Sequence, residues 1–238
     1  MNDYNRASPL IMHIDLNSCF AMVEQQARPS LRGRPLAITN RLAEHACVVA
    51  CSYEAKRLGV KVGMRYSEAR TFAPDLLMIE TDPPKYHYVY QKLVAIMKSY
   101  AAKVTMKSID EGIIDFHEAV ERPNRRQIEQ IGYEIKQRLK DEIGDYMTCN
   151  IGIAPNRFLA KLAAGLHKPD GLDMIDHTNV REVLGAVTLT DLPGIAHRFQ
   201  KRLYYQGITT PLEFLDADIL RYIDWYLKAL SATTGISA

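Results

Sequence analysis

Residues 104–117 read VTMKSIDEGIIDFH, and within them two adjacent carboxylates, Asp110 and Glu111, stand between apolar and β-branched neighbours. A carboxylate left beside buried apolar surface costs on the order of several kcal/mol unless it is paired, protonated or bound to a cation. Two readings supply that partner: a salt bridge to Lys107, the nearest cation in sequence, or a metal ion. The dipeptide alone does not choose between them, because Asp141-Glu142 repeats it in an amphipathic helical stretch beside Lys140. The surroundings differ. Residues 104–109 and 112–116 read as two strands, and consecutive side chains on a regular strand point to opposite faces. Both acids therefore converge only at a turn, for which Gly112 supplies the backbone freedom, placing Asp110 and Glu111 near a hairpin tip.

Working outward, Pro83 and Pro84 open a long helix to about residue 103, with Tyr86, Val89, Tyr90, Leu93, Ile96, Met97 and Tyr100 on its core face. Beyond the acids, Ile128, Ile131, Ile135, Leu139 and Ile143 mark a second long amphipathic helix, and residues 147–153 return as a strand. At the start of the chain, an apolar run over 10–14 ends in Asp15; Asn17 and Ser18 then offer a cap to a helix over 19–26 that Pro29 closes. An acid at a strand end followed by a helix N-terminus suits an anion held beside a cation; a helix-capping Asp is the alternative. Residues 35–39 and 46–51 read as short strands. A basic helix over 53–58 puts Tyr53, Lys56 and Arg57 within about one turn, as a phosphate-binding or simply a solvated face. A short helix over 67–72 and a strand over 76–79 complete this excursion. Two long helices interleaved with strands predict an α+β fold: a mixed sheet covered on one face, ferredoxin-like in topology.

Residues 156–166 follow as a helix capped by Asn156, with Arg157, Lys161 and Lys168 beside the turn KPDG. The stretch 192–208, LPGIAHRFQKRLYYQGI, has the pattern of a helix-hairpin-helix, in which turn amides at Gly194 and Ile195 and the cations Arg198, Lys201 and Arg202 would grip phosphates. A plain helical turn is the alternative. The apolar content of 47% in 238 residues is ample for buried cores, in one large domain or two to three small ones. A net charge of +2 is too small to argue for nucleic acid by itself. Cys19, Cys47, Cys51 and Cys149 lack CxxC spacing and read as reduced cysteines of a cytoplasmic protein. No signal peptide or membrane span is visible, and residues 231–238, SATTGISA, are expected to be a disordered tail.

The segments HIDLNSCFAMVE, SYEAKRLGVKVGM, SIDEGIIDF, NIGIAPNRFLAKLAAGLHKPDG and LPGIAHRF occur together and in this order. Over about residues 10–230 the chain resembles a Y-family translesion DNA polymerase of the DinB/UmuC-like kind. The resemblance implies a polymerase palm at 1–28 and 79–167, small fingers at 29–78 and a helical thumb at 168–230 containing the helix-hairpin-helix, with the little-finger domain of the family lacking. It implies that Asp15, Asp110 and Glu111, completed by the backbone carbonyl of Leu16, hold two magnesium ions, with manganese as a substitute. Tyr53, Lys56 and Lys168 match triphosphate contacts, and Phe20 matches the aromatic steric gate against ribose, with a core Phe as the alternative. Gly194, Ile195, Arg198 and Lys201 match thumb DNA contacts. The implied partners are primer-template DNA and dNTP, with a processivity clamp reached through the lacking C-terminal part, in a monomer without membrane contact. The implied activity is template-directed nucleotidyl transfer to a primer 3′-hydroxyl, in translesion synthesis during DNA damage tolerance.

Three departures stand out. Many relatives carry a further acid at Asn17 and an arginine at Lys56, and Ala196 replaces a glycine of the thumb hairpin. Lys56 offers a point charge where arginine offers a bidentate fork, with Arg57 as a neighbouring cation. Two other readings compete: a catalytically weak DNA-binding remnant, and a nucleotidyl cyclase-like enzyme, against which the hairpin and Phe20 argue.

Overall fold

Strand β1 (Ile11–Leu16) is buried along nearly its whole length, as an apolar hexapeptide is when neighbours pair with both of its edges. The computed structural model describes residues 6–217. After β1 come α1 (Cys19–Ala27), β2 (Leu36–Thr39), β3 (Val48–Cys51), α2 (Tyr53–Arg57), α3 (Tyr66–Phe72), β4 (Leu77–Glu80) and α4 (Pro83–Lys98). Then follow β5 (Val104–Met106), β6 (Glu111–Asp115), α5 (Arg125–Glu142), β7 (Cys149–Ala154), α6 (Arg157–Leu166) and β8 (Leu172–Met174). The larger sheet has the order β5-β6-β1-β7-β8. Strands β6 and β7 flank β1 antiparallel, and β8 runs parallel to β7. The class is α+β, as expected.

One face of this sheet carries Met12, Ile14, Leu16, Ile114, Cys149, Ile151 and Ile153, which close a core with Val23 of α1, Leu93 and Ile96 of α4, and Ile128, Ile135 and Leu139 of α5. The register puts Ile11, His13 and Asp15 on the other face, opposite Asp115, Ile113 and Glu111 on one side and Ala154, Gly152 and Asn150 on the other. That face is covered too, contrary to the one-sided sheet expected, because α6 lies directly on it. A Cβ at Gly152 would stand 2.0 Å from the carbonyl oxygen of Ala160 and 2.2 Å from the nitrogen of Ala164. Gly152 and the buried alanines Ala160, Ala163 and Ala164 let helix and strand approach backbone to backbone.

The acidic hairpin turns earlier than its sequence suggests. Strand β5 ends at Met106 and β6 begins at Glu111, so the turn occupies 107–110, closed by the Lys107 N–H donating to the Glu111 carbonyl at 2.9 Å. Gly112 is not at the turn. It lies within β6, where a Cβ would stand 2.7 Å from both Met106 Sδ and Met97 Cε, so what favours glycine there is the packing of two methionine side chains rather than backbone freedom.

A three-stranded sheet, β3-β2-β4, with β2 antiparallel to β3 and parallel to β4, closes over a separate small core of Ala37, Val48, Cys51, Ala55, Tyr66 and Leu76. The chain divides into two compact units after His177, whereas the sequence places the start of the last domain at residue 168. The reason is β8: its pairing with β7, continued by the Ile175 N–H bonding the Ile153 carbonyl at 2.9 Å, keeps residues 172–175 on the large sheet. The second unit holds α7 (Val180–Ala186), α8 (His197–Tyr205) and α9 (Pro211–Leu215). The predicted tail at 231–238 lies outside the described residues. Cys19, Cys47, Cys51 and Cys149 are free thiols, as expected. Among the described residues no helix is long and apolar enough to cross a membrane.

Two glycine substitutions separate packing from propensity. Gly152→Ala is expected to destabilise the chain by about 3 kcal/mol, since the clash is with backbone that cannot rotate away. Gly165→Ala, in open space on the facing helix α6, is expected to be neutral or to stabilise by up to about 1 kcal/mol. Urea unfolding midpoints of the two variants check this, and equal midpoints would refute the packing assignment.

Candidate active site

Asp15 and Glu111 face each other directly across the β1–β6 pair, so strand register alone puts both carboxylates on one face. Asp110 joins them through the backbone, its carbonyl accepting the Leu16 N–H at 2.9 Å. The Asp110 carboxylate is turned to the hydroxyl of Ser108, and that hydroxyl oxygen accepts the Glu111 N–H at 3.1 Å. Two acids from neighbouring strands and a third from the hairpin turn thus share one end of the sheet.

Their charge is met by lysines, and not by Lys107. Lys161 Nζ donates to both carboxylate oxygens of Glu111, at 2.9 and 2.8 Å, reaching it because α6 sits so close to the sheet. Lys168 Nζ donates to Asp15. Burial pushes the Glu111 carboxyl up, but hydrogen bonding and attraction from Lys161 outweigh it and hold the group below the ordinary carboxylate range. His13, 1% exposed, lies with Nε2 3.6 Å from Glu111 Oε2. Burial lowers its pKa against the pull of Glu111, so the imidazole is neutral at pH 7. The Cys19 thiol is pushed up by burial and by Asp110 and Asp15.

Among the described residues no three acid, imidazole or thiol side chains stand together as a ready metal cage. The donor chemistry nevertheless fits a hard divalent cation, since carboxylate and carbonyl oxygens are the ligands such ions prefer. For the acids to act as ligands, Asp110 would turn from Ser108, and Asp15 and Glu111 would exchange their lysines.

The predicted nucleotide contacts gather around the turn from β1 into α1. On α2, capped by the Ser52 hydroxyl accepting the Ala55 N–H at 3.3 Å, Lys56 Nζ lies 4.6 Å from the Tyr53 ring centre and donates to Ser18 Oγ at 2.7 Å. Of the two residues that offered a cap to α1, Ser18 holds the N-cap position, in the left-handed region at φ 42° and without a side-chain cap bond, while the Asn17 amide turns away and donates to the Tyr53 hydroxyl oxygen at 3.3 Å. Phe20 stacks on Tyr86 of α4 with ring centres 4.3 Å apart and 13° between planes; it is packed against the core on one side and partly exposed on the other.

In the second unit, Gly194 takes φ +84°, and Arg198 and Lys201 are exposed on α8. Ile195 is buried, and its N–H is committed to the Leu192 carbonyl at 3.0 Å, so that amide is used inside the turn.

Lys161, His13 and Asn150 are site neighbours that sequence reasoning missed. A signal for Lys161 existed: Ala160, Ala163 and Ala164 form an i, i+3, i+4 stripe of small residues, and Lys161 flanks it. Asn150 announces itself as a polar residue inside an apolar strand.

Residues 14–165 match the model of the impB/mucB/samB family. DNA polymerase IV of Staphylococcus aureus strain JH9 is 33% identical over 198 residues, which cover 83% of this chain and 54% of that protein. The same-named protein of strain Newman is 32% identical over 198 residues. The chain thus spans about half the length of the curated relatives it matches. Among solved structures, DinB from Sulfolobus solfataricus aligns with a TM-score of 0.78 and 31% identity, over 92% of this chain and 64% of that one. The insertion ternary complex of Dbh DNA polymerase aligns with a TM-score of 0.79 and 29% identity, over 96% of this chain and 68% of that one.

The Lys161–Glu111 pair makes a prediction about pH. The native Glu111 pKa lies below its ordinary value of 4.5, so its ionised form contributes stability that is present above that value and lost as pH falls through the native pKa. In Lys161→Met the effect of burial remains, opposed only by neighbouring His13 and more distant charges. The Glu111 titration is then expected to move above its wild-type midpoint, read by carboxyl-carbon NMR, and the acid loss of stability to begin at higher pH. An unchanged midpoint would show that Lys161 does not hold the carboxylate in solution.

Proposed function

The chain belongs to the impB/mucB/samB family of Y-family polymerases, and on that premise we propose that it carries out template-directed DNA synthesis. The reaction transfers a deoxynucleotide to a primer 3′-hydroxyl, in translesion synthesis. The observation that carries this reading is the direct opposition of Asp15 and Glu111 across β1 and β6, with Asp110 tethered to Leu16 beside them. In this reading the five-stranded sheet is the palm, the three-stranded sheet and its helices the fingers, and the second unit the thumb, with Gly194, Arg198 and Lys201 against the DNA backbone.

Asp15, Asp110, Glu111 and the Leu16 carbonyl would hold divalent metal, magnesium by preference with manganese as a substitute. That metal supplies a lowered pKa at the primer hydroxyl and charge neutralisation at the phosphates. The chain's own cations do related work. Lys168, which donates to Asp15, and Lys56 with Tyr53 from the opposite side, would bind the triphosphate. Lys56 does so as a point charge, without the planar fork of an arginine, and exposed Arg57 adds charge beside it. Phe20, held flat on Tyr86, presents its exposed side to the sugar and excludes a ribose 2′-hydroxyl.

Primer extension with the purified chain is the deciding experiment. Magnesium-dependent extension, lost in Asp110→Ala, is expected; no extension at saturating DNA and dNTP, or extension unaffected by Asp110→Ala, refutes the assignment. Salt-dependent DNA binding without extension would instead identify a binding module. Phe20→Ala is expected to admit ribonucleotides, and undiminished discrimination would place the gate elsewhere.

A further inference from the structure

Asn17 is 1% exposed, yet both ends of its amide are fully used. Nδ2 donates to Asn150 Oδ1 at 2.5 Å and to the Tyr53 hydroxyl oxygen at 3.3 Å. Oδ1 accepts from the Thr148 hydroxyl at 2.9 Å and from the Asp170 N–H at 3.0 Å. A backbone N–H can only donate, so the Asp170 contact fixes which end of the amide faces which partner. Asn150, also fully buried, accepts the same Asp170 N–H at 3.0 Å and donates from Nδ2 to the His167 carbonyl at 3.2 Å.

The far side of this turn is held as well. Lys136 of α5 donates to the carbonyls of Asp170 and Gly171 and pairs with the Asp170 carboxylate at 3.0 Å. Asp170 takes φ 61°, a left-handed conformation that a non-glycine residue keeps only when its surroundings impose it. Residues 167 to 171 are thus clamped at both ends, and Lys168, the residue between, is delivered to Asp15.

We propose that Asn17, assisted by Asn150, is a positioning residue: through one buried amide it sets Tyr53 of α2 and the turn that carries Lys168 at a fixed separation across the nucleotide site. The inference rests on the polymerase reading for what occupies that site, and on the hydrogen bonds alone for the clamp.

Two readouts on the intact chain test it. Amide hydrogen exchange over residues 167–171 reads the clamp, and the dNTP dependence of single-nucleotide insertion reads its consequence. In Asn17→Ala the Asp170 amide is expected to exchange at least about tenfold faster, and KM for dNTP to rise about tenfold while kcat changes less than about twofold. Asn17→Asp keeps an acceptor for the Asp170 N–H and can accept the Tyr53 O–H, but loses the donor to Asn150; it is expected to retain most of the exchange protection and to raise KM less than Asn17→Ala. Should Asn17→Ala fail to fold, Thr148→Val, which removes one of the four contacts at constant volume, must show the same changes in smaller size. Unchanged exchange at Asp170, or faster exchange with unaltered KM, overturns the proposal, as does a fall in kcat and melting temperature at constant KM. A wild-type chain that never extends a primer would sink the polymerase reading, and the exchange data would then decide the clamp by themselves.

Discussion

Two carboxylates set directly opposite each other on neighbouring strands repel, and the pairing of β1 with β6 imposes that arrangement on Asp15 and Glu111. The sheet tolerates it because a lysine from outside the strands meets each one. Lys161 and Lys168 are 46% and 37% exposed, so neither pair contributes much net stability; what the lysines do is remove a like-charge contact that would otherwise weaken the central pairing. Much of the local architecture follows from delivering them. Lys161 reaches Glu111 because Gly152 and an alanine stripe bring α6 onto the strand, and Lys168 reaches Asp15 because the turn that carries it is clamped from two sides.

This compensation also bears on the proposed chemistry. Two of the three acids are paired with lysines, and Asp110 bonds the Ser108 hydroxyl. In the proposed reading Lys168 would exchange the Asp15 carboxylate for a triphosphate, at little cost because the pair is partly solvated. The buried neutral His13 beneath Glu111 adds no charge to that balance at pH 7.

Much of the fold was legible in the sequence because it is written in local periodicity. The long helices, the strand ending in Asp15 and the small excursion over 29–78 all follow from patterns of 3.6 or 2, from prolines, and from caps such as Asn156. What was misread depends on partners distant along the chain. Gly112 looked like a turn residue, but its need for glycine comes from Met97 on another helix. Residues 172–174 looked like part of the last domain, because three residues carry no periodic signal and become a strand only beside β7. The triad of acids could be nominated from motifs, yet proximity along the chain offers only Lys107 as a cationic partner, while Lys161 arrives from α6. Asn17 beside Ser18 reads as a cap in any local analysis; that its amide turns inward instead depends on Asn150, Thr148 and Asp170.

The same logic of paired charge recurs on the other side of α1. Glu24 is 1% exposed, a carboxylate that burial alone would not permit. It accepts Lys85 Nζ at 2.9 Å on both oxygens, Arg28 at 2.6 Å and the Tyr86 hydroxyl at 3.2 Å. The last of these bonds fixes the ring on which Phe20 lies. Helix α1 is therefore bracketed, by the Asn17 amide network at its entrance and by the Glu24 cluster one turn beyond Phe20. A ring packed against nothing could pivot; one stacked on a tyrosine that is itself bonded to a buried carboxylate loses that stack if it does. The proposed discrimination at the sugar thus depends on an ion cluster that touches no substrate.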